Sequence, residues 1–489
     1  VDDSIARFGK VMDKFCGAPE AAKAKDGILA IYEAQGNIDA IQRTNDKFIA
    51  AKCGDAKAIA LAEEQNKSLN FIRAEELYAK GQFAQAAEAF YRFYKTAPPT
   101  DKALPTALYN AAISYQQADK PKTAISLFKE FTANPAKNFR ESKYYLNALG
   151  LQAATYQKAY DYTNAVKTYL ELATIAKKAK QLKLELPPAI PGQQPKTFEQ
   201  IGLDAQFNAA LASELNRDFK KAIDLYKAYG AAEKDRRKQD RALWSIGGIQ
   251  RQSGDVLAMV DTHQRWRAKF GKDAGNEDDF VQTFYDESVL RKRKGQTPQA
   301  NKAGQATIDA WKQKGSTKNS RGAKLAGEWQ LQLAEDHYAK SWEPFEIKKA
   351  ARSVAEAKLQ SKQMADAKTK AEDKYLAMDP YGVAEYSMAA KVRYGMIAYE
   401  YATKLGNIPI PTPIAKNDAL VVAYQEQLDK NVAKYLAEAK GQWIEVVDLA
   451  KKGGISNKWS RLALENLGRE FPAEFTVLRQ EIVQGTEAP

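Results

Sequence analysis

Phe83, Ala86 and Phe90 fall three or four positions apart with polar residues between them. That spacing lays one apolar stripe along a helix. Gly81 just ahead marks a turn and Pro98 stops the helix. The stretch from Leu77 to Pro98 therefore predicts the end of one helix, a tight turn and a second, antiparallel helix. The pattern returns at Ala124 with Phe128, at Asp161, Tyr162, Ala165 and Tyr169, and at Asp218, Phe219, Ala222 and Tyr226. A weaker copy has Gly254, Asp255 and Met259, with Trp244 in its first helix and Trp266 in its second. The steps between copies are unequal. The longest, from Ala165 to Ala222, contains the proline-rich stretch 186–195, which cannot be helical and is expected to project as a loop.

The stretch from Leu77 to Pro98 resembles the second half of a tetratricopeptide repeat, a family whose period is about 34 residues. The resemblance implies an all-α fold, a right-handed solenoid of stacked hairpins, with longer helices at the C-terminus. Residues 1–65 read as three helices that cap the array, since a terminal repeat has no neighbour to cover it. Residues 66–270 hold the recognisable repeats, and 271–340 read as divergent hairpins with Gly295 as a hinge. Residues 341–489 form a module of longer helices: one over Trp342–Leu376, one over Val383–Lys404, then an extended loop through Gly406–Pro413 and further helices to Leu467. This C-terminal layout resembles large envelope proteins of predatory and gliding delta-proteobacteria, including adventurous gliding-motility components.

No apolar stretch approaches the roughly 18 residues of a membrane span. The net charge of +13 balances 74 basic against 61 acidic residues, a modest excess that favours an acidic partner without naming one. Basic runs at 177–180, 236–238 and 291–294 read as solvated loops and helix ends. No zinc finger, aromatic RNA-reading strand or GXXG loop accompanies them, so nucleic acid is not expected. The chain opens on Val1, as expected of a processed or trimmed product. Cys16 and Cys53 are the only cysteines. Each stands before a glycine at a predicted helix end, about one hairpin apart. Antiparallel stacking puts both on one side, where they would either form a disulfide or remain two small buried residues. A disulfide favours the periplasm; the alternative location is the cytoplasm.

Chemistry-bearing motifs are not evident. The two histidines, His263 and His337, lie near no cysteine and no second histidine, so no metal site is expected, and His263 falls in the buried stripe of its helix. There is no phosphate-binding glycine loop, nucleophile elbow or HExxH, and no cofactor is expected. The sequence reads as a non-enzymatic scaffold for protein partners, with envelope proteins the expected class. One alternative is a peptidoglycan-cutting enzyme carrying a helical superhelix; another is a cytosolic adaptor or co-chaperone.

In the tetratricopeptide family the first helix of each hairpin lines a concave groove that binds peptides. Carried onto this sequence, that surface would hold Phe71, Glu75 and Tyr78; Tyr109, Asn110 and Gln116; Asn147 and Lys158; Phe207, Asn208 and Glu214; and Trp244 and Arg251. The alternative for each is packing against the next repeat. The lysines with which some family members clamp a chaperone tail are replaced by Phe71, Tyr109, Gly150, Phe207 and Trp244. This favours an extended, partly apolar segment or a folded partner.

Overall fold

The computed structural model describes residues 1–188 and 194–475, and among them it contains helices and no strand. The chain divides into two compact units, Val1–Ile249 and the residues from Gln250 onward. The first holds α1 (Asp2–Lys14), α2 (Pro19–Ala34), α3 (Ile38–Ala50), α4 (Ala56–Ala79), α5 (Phe83–Thr96), α6 (Leu104–Gln117), α7 (Pro121–Ala133), the single turn α8 (Lys137–Arg140), α9 (Tyr145–Lys158), α10 (Tyr162–Lys178), α11 (Phe198–Leu215) and α12 (Phe219–Ala232). Helix α13 (Arg236–Ser253) includes the division point. The second unit continues with α14 (Val256–Phe270), α15 (Glu277–Arg293), α16 (Thr297–Gln313), α17 (Arg321–His337), α18 (Val354–Leu376), α19 (Ala384–Gly406), the single turn α20 (Thr412–Ala415), α21 (Asp418–Gly453) and α22 (Lys458–Glu470).

Within the first unit each longer helix packs on its neighbours in the chain, the signature of a solenoid. One turn builds the hairpins. A residue with positive φ follows the first helix: Gly36, Gly81, Asp119, Tyr160 and Arg217 in the first unit, Gly254 and Gly295 in the second. At each, its amide donates three residues back and the next amide five back, as Gly81 to Tyr78 (3.0 Å) and Gln82 to Leu77 (2.9 Å). This satisfies the orphan carbonyls of the first helix. The following residue then starts the second helix, and Asn37, Asp161, Asp218 and Asp255 cap it with a side-chain oxygen. Counted from the turn, small residues recur seven positions before (Ala74, Ala112, Ala153, Ala210) and five after (Ala86, Ala124, Ala165, Ala222), all fully buried. Small side chains at the crossing let the two helices approach closely.

Cys16 follows α1 and Cys53 follows α3, and the two form a disulfide closing 37 residues of separation. Helix α4 starts at Ala56 under the Asp55 cap and runs without a break through position 65. The division between units at Ile249 falls within the fifth repeat copy.

The expected helix over Trp342–Leu376 is shorter. A π-turn spans Tyr338–Trp342, non-helical chain follows, and α18 begins at Val354. Pro344 disfavours helix at Glu343, and Ser353 restarts it by accepting the Glu356 amide. The loop expected through Gly406–Pro413 also differs: α19 extends to Gly406, and Pro413 sits in the first turn of α20, where its missing N–H costs nothing. Of the proline-rich stretch, Pro187 and Pro188 are non-helical and 189–193 lie outside the described residues. The second unit's core carries a charged network. Glu335 accepts from Tyr375 (2.7 Å) and from both prongs of Arg393, while Glu400 accepts from Trp342 (2.7 Å) and Tyr338. Gly395 lies under Trp443, whose ring would be 2.4 Å from an added Cβ.

Candidate partner-binding site

The turn fixes a register that the sequence alone leaves loose. Ten positions before it stand Phe71, Tyr109, Gly150 and Phe207; nine and twelve after it stand Phe90 and Phe93, Phe128 and Phe131, Tyr169 and Leu172, Tyr226 and Tyr229. In three of these hairpins the first-helix ring is wedged between the two second-helix rings. Phe71, Tyr109 and Phe207 each contact their pair at centroid separations between 5.1 and 6.5 Å, tilted or edge-on. The third hairpin breaks the rule, because Gly150 brings no ring. An added Cβ there would meet only Leu172, at an ordinary 3.6 Å.

A cavity of about 470 Å³ opens at that point. It is lined by Gly150, Tyr169 and Leu172, by Tyr109 and Asn147, by Ile201, Ala205 and Asn208, and by Pro187 and Pro188. A second cavity of about 360 Å³ shares Ala154, Tyr169 and Asn208 with it and extends to Lys158 and Leu215. Together they form one concavity on the first helices α6, α9 and α11. The lining is mostly apolar with a few amide and charged groups, the composition of a recognition site.

Of the residues expected in the groove, the structure gathers Tyr109, Asn147, Lys158 and Asn208 around this concavity. Tyr109 is only 7% exposed and stacks on Tyr144 at 4.6 Å, so it is a wall rather than a free anchor. Burial pushes the pKa of its hydroxyl up to about 12, with the Asn147 side chain acting in the opposite direction. Burial does the same to Tyr169, also to about 12, so both are neutral phenols at physiological pH. Lys158 pairs with Asp119 at 3.0 Å in an exposed bridge. Asn110 occupies the same register position as Asn208, two hairpins earlier.

The others lie elsewhere. Phe71 lines a separate cavity of about 790 Å³ with Glu63, Glu64 and Lys67. Tyr78 packs edge-on against Phe83, and Glu75 is exposed on α4. Gln116 donates to the Thr155 hydroxyl at 2.8 Å and joins two first helices. Glu214 accepts from Tyr226 at 3.2 Å, and its pKa is raised by burial against that hydrogen bond. Phe207 sits in its aromatic wedge under Arg241, and Trp244 is half-buried. Arg251 belongs to the second unit, where it pairs with Asp286 at 3.0 Å. Sequence reasoning missed Gly150 as part of the site. The signal was the aromatic column Phe71, Tyr109, Phe207, Trp244, which a glycine interrupts.

Among the described residues no group of three or more His, Cys, Asp and Glu could hold a metal ion, and no helix is long and apolar enough to cross a membrane. No protein-family model matches the chain and no curated protein matches it by sequence. Solved structures do resemble it. The crystal structure of BtubC (BKLC) from P. vanneervenii is 17% identical over 51% of this chain and 95% of that one, with a TM-score of 0.30. The tetratricopeptide domain of P58(IPK) is 14% identical over 84% and 99%, with a TM-score of 0.21. Rap protein complexed with Competence and Sporulation Factor is 12% identical over 76% and 98%, with a TM-score of 0.22. At these values nothing about ligand or partner passes from those proteins to this chain. Its fold is a tetratricopeptide-like all-α solenoid by its own hairpins, with their shared turn and small-residue crossings.

Proposed function

We propose that this chain is a non-enzymatic scaffold that holds an extended segment of a partner protein against α6, α9 and α11, as part of a bacterial envelope assembly. The observation that carries the reading is the concavity that brings Tyr109, Asn147 and Asn208 together on the first helices. Tyr169 and Leu172 supply apolar contact area, while the carboxamide of Asn208 can both donate to and accept from a bound backbone. The Cys16–Cys53 disulfide suits an oxidising compartment such as the periplasm. The resemblance of the C-terminal helices to delta-proteobacterial envelope proteins adds a motility-related setting.

Photocrosslinking in cells that carry the protein tests this. A benzoylphenylalanine at Ala154, which lines both cavities, should give a discrete envelope-protein adduct, while one at exposed Lys220 on α12 should not. Equal labelling from both positions, or none from Ala154, would move the binding surface elsewhere.

A further inference from the structure

Building on the groove reading, we infer that the cavity at Gly150 is the seat for one aromatic side chain of the partner segment, which completes the third hairpin as Phe71, Tyr109 and Phe207 complete theirs. The chain itself supplies the template. In three hairpins the same register position delivers a ring onto the second-helix pair, at centroid separations between 5.1 and 6.5 Å. In the third hairpin the pair is Tyr169 and Leu172, and the cavity of about 470 Å³ includes both together with Gly150. A phenyl or phenol ring entering from the groove would meet Leu172 on one side and the Tyr169 ring on the other, the contacts that Phe207 makes with Tyr229 and Tyr226. Edge-to-face contact of a ring with Tyr169 favours an aromatic over a branched aliphatic side chain.

The polar groups fit a backbone rather than a second side chain. Asn208 and Asn147 both line the cavity. Lys196 at the margin is already paired with Asp204 at 2.6 Å, and Lys158 with Asp119, so no free charge on these walls calls for an acidic group. The ligand class is therefore an extended, uncharged segment with a single ring-bearing anchor. Gly150 sets this specificity, because any ring at position 150 would occupy the seat.

A random dodecapeptide library displayed on phage and selected on the full chain tests this. The selected peptides should share one phenylalanine or tyrosine, and its replacement by leucine should weaken binding by about tenfold or more. Gly150→Phe should abolish their binding and leave the far-ultraviolet spectrum and urea midpoint intact or improved. Gly150→Ala, whose Cβ meets only ordinary contact, should bind as wild type. Peptides that share no aromatic, or that bind Gly150→Phe as tightly as wild type, would overturn the aromatic seat. If those peptides still weaken on Asn147→Ala with Asn208→Ala, the groove stands without the seat. If they are indifferent to both changes, or if no peptide enriches, the groove falls too. A Gly150→Phe protein that fails to fold would also overturn the proposal, since the ring would then have no room.

Discussion

Placing phenylalanine in the middle of a helix that packs on both sides ordinarily disrupts it, yet Gly150→Phe is expected to stabilise this protein. Its Cβ meets Leu172 at 3.6 Å, and beyond it lies a cavity of about 470 Å³ flanked by Tyr169 and Leu172. Burying most of a phenylalanine side chain contributes about 1.5–3 kcal/mol. Replacing a mid-helix glycine contributes roughly 0.5 kcal/mol more. Fixing the ring's rotamer costs about 0.5–1 kcal/mol, and imperfect fit removes about 1 kcal/mol. The net is about 0–2 kcal/mol of stabilisation, centred near 1 kcal/mol, and the central value corresponds to roughly 2–4 °C in a unit of this size. Because stacked hairpins can unfold piecewise, the urea midpoint should be read alongside hydrogen exchange, with slower α9 and α10 amides in the variant. Gly395→Ala is the contrasting control: its Cβ would sit 2.4 Å from the Trp443 ring, so it should lower stability. A Gly150→Phe protein less stable than wild type by about 1 kcal/mol or more would refute the reasoning, because overpacking of that size means the slot is not shaped for a ring.

Arg217 holds φ at 59° in the fourth hairpin turn. Left-handed backbone costs a side-chain-bearing residue about 1–2 kcal/mol, and glycine returns part of that as chain entropy, so Arg217→Gly should gain roughly 0.5–1 kcal/mol in urea melts. Reducing Cys16–Cys53, or changing both to serine, should destabilise the N-terminal helices by about 3–4 kcal/mol for a closed loop of 37 residues, seen as faster exchange in α1 to α3. Intact protein should resist alkylation until reductant is added; two thiols that alkylate freely in native material would contradict the disulfide. His263 is buried, and burial holds its imidazole below the ordinary value against the pull of Asp286. An unfolded imidazole titrates near ~6.5, so on acidification below that point the unfolded chain takes up a proton that the folded state refuses. Stability should therefore fall as the pH drops below about 6.5, more steeply in wild type than in His263→Gln; equal urea-midpoint slopes would contradict this.

The hairpins were legible because packing writes them into composition. Ala86, Ala124, Ala165 and Ala222 must be small where helices cross, and Gly81, Gly254 and Gly295 announce their turns. The same turn at Asp119, Tyr160 and Arg217 was hidden, since there the flanking helices impose the strained conformation and no glycine marks it. The late start of α18 could have been read from Pro344 and from the Ser353 cap, but the alanine- and lysine-rich composition of 355–374 masked them. For the site, sequence named four residues that line the concavity, Tyr109, Asn147, Lys158 and Asn208. It did not separate an aromatic that packs inward, such as Tyr109, from one that faces a ligand, because the two differ only by the ring contacts they make across the hairpin. Nor could it show that Arg251 answers to Asp286 in the second unit.

The most direct test is a crystal structure of the full chain bound to a peptide selected on it. The account predicts an extended peptide along α6, α9 and α11, with one aromatic ring against Tyr169 and Leu172 and its backbone hydrogen-bonded to Asn208. A peptide bound on the second helices or in the second unit, with the Gly150 cavity untouched, would contradict it.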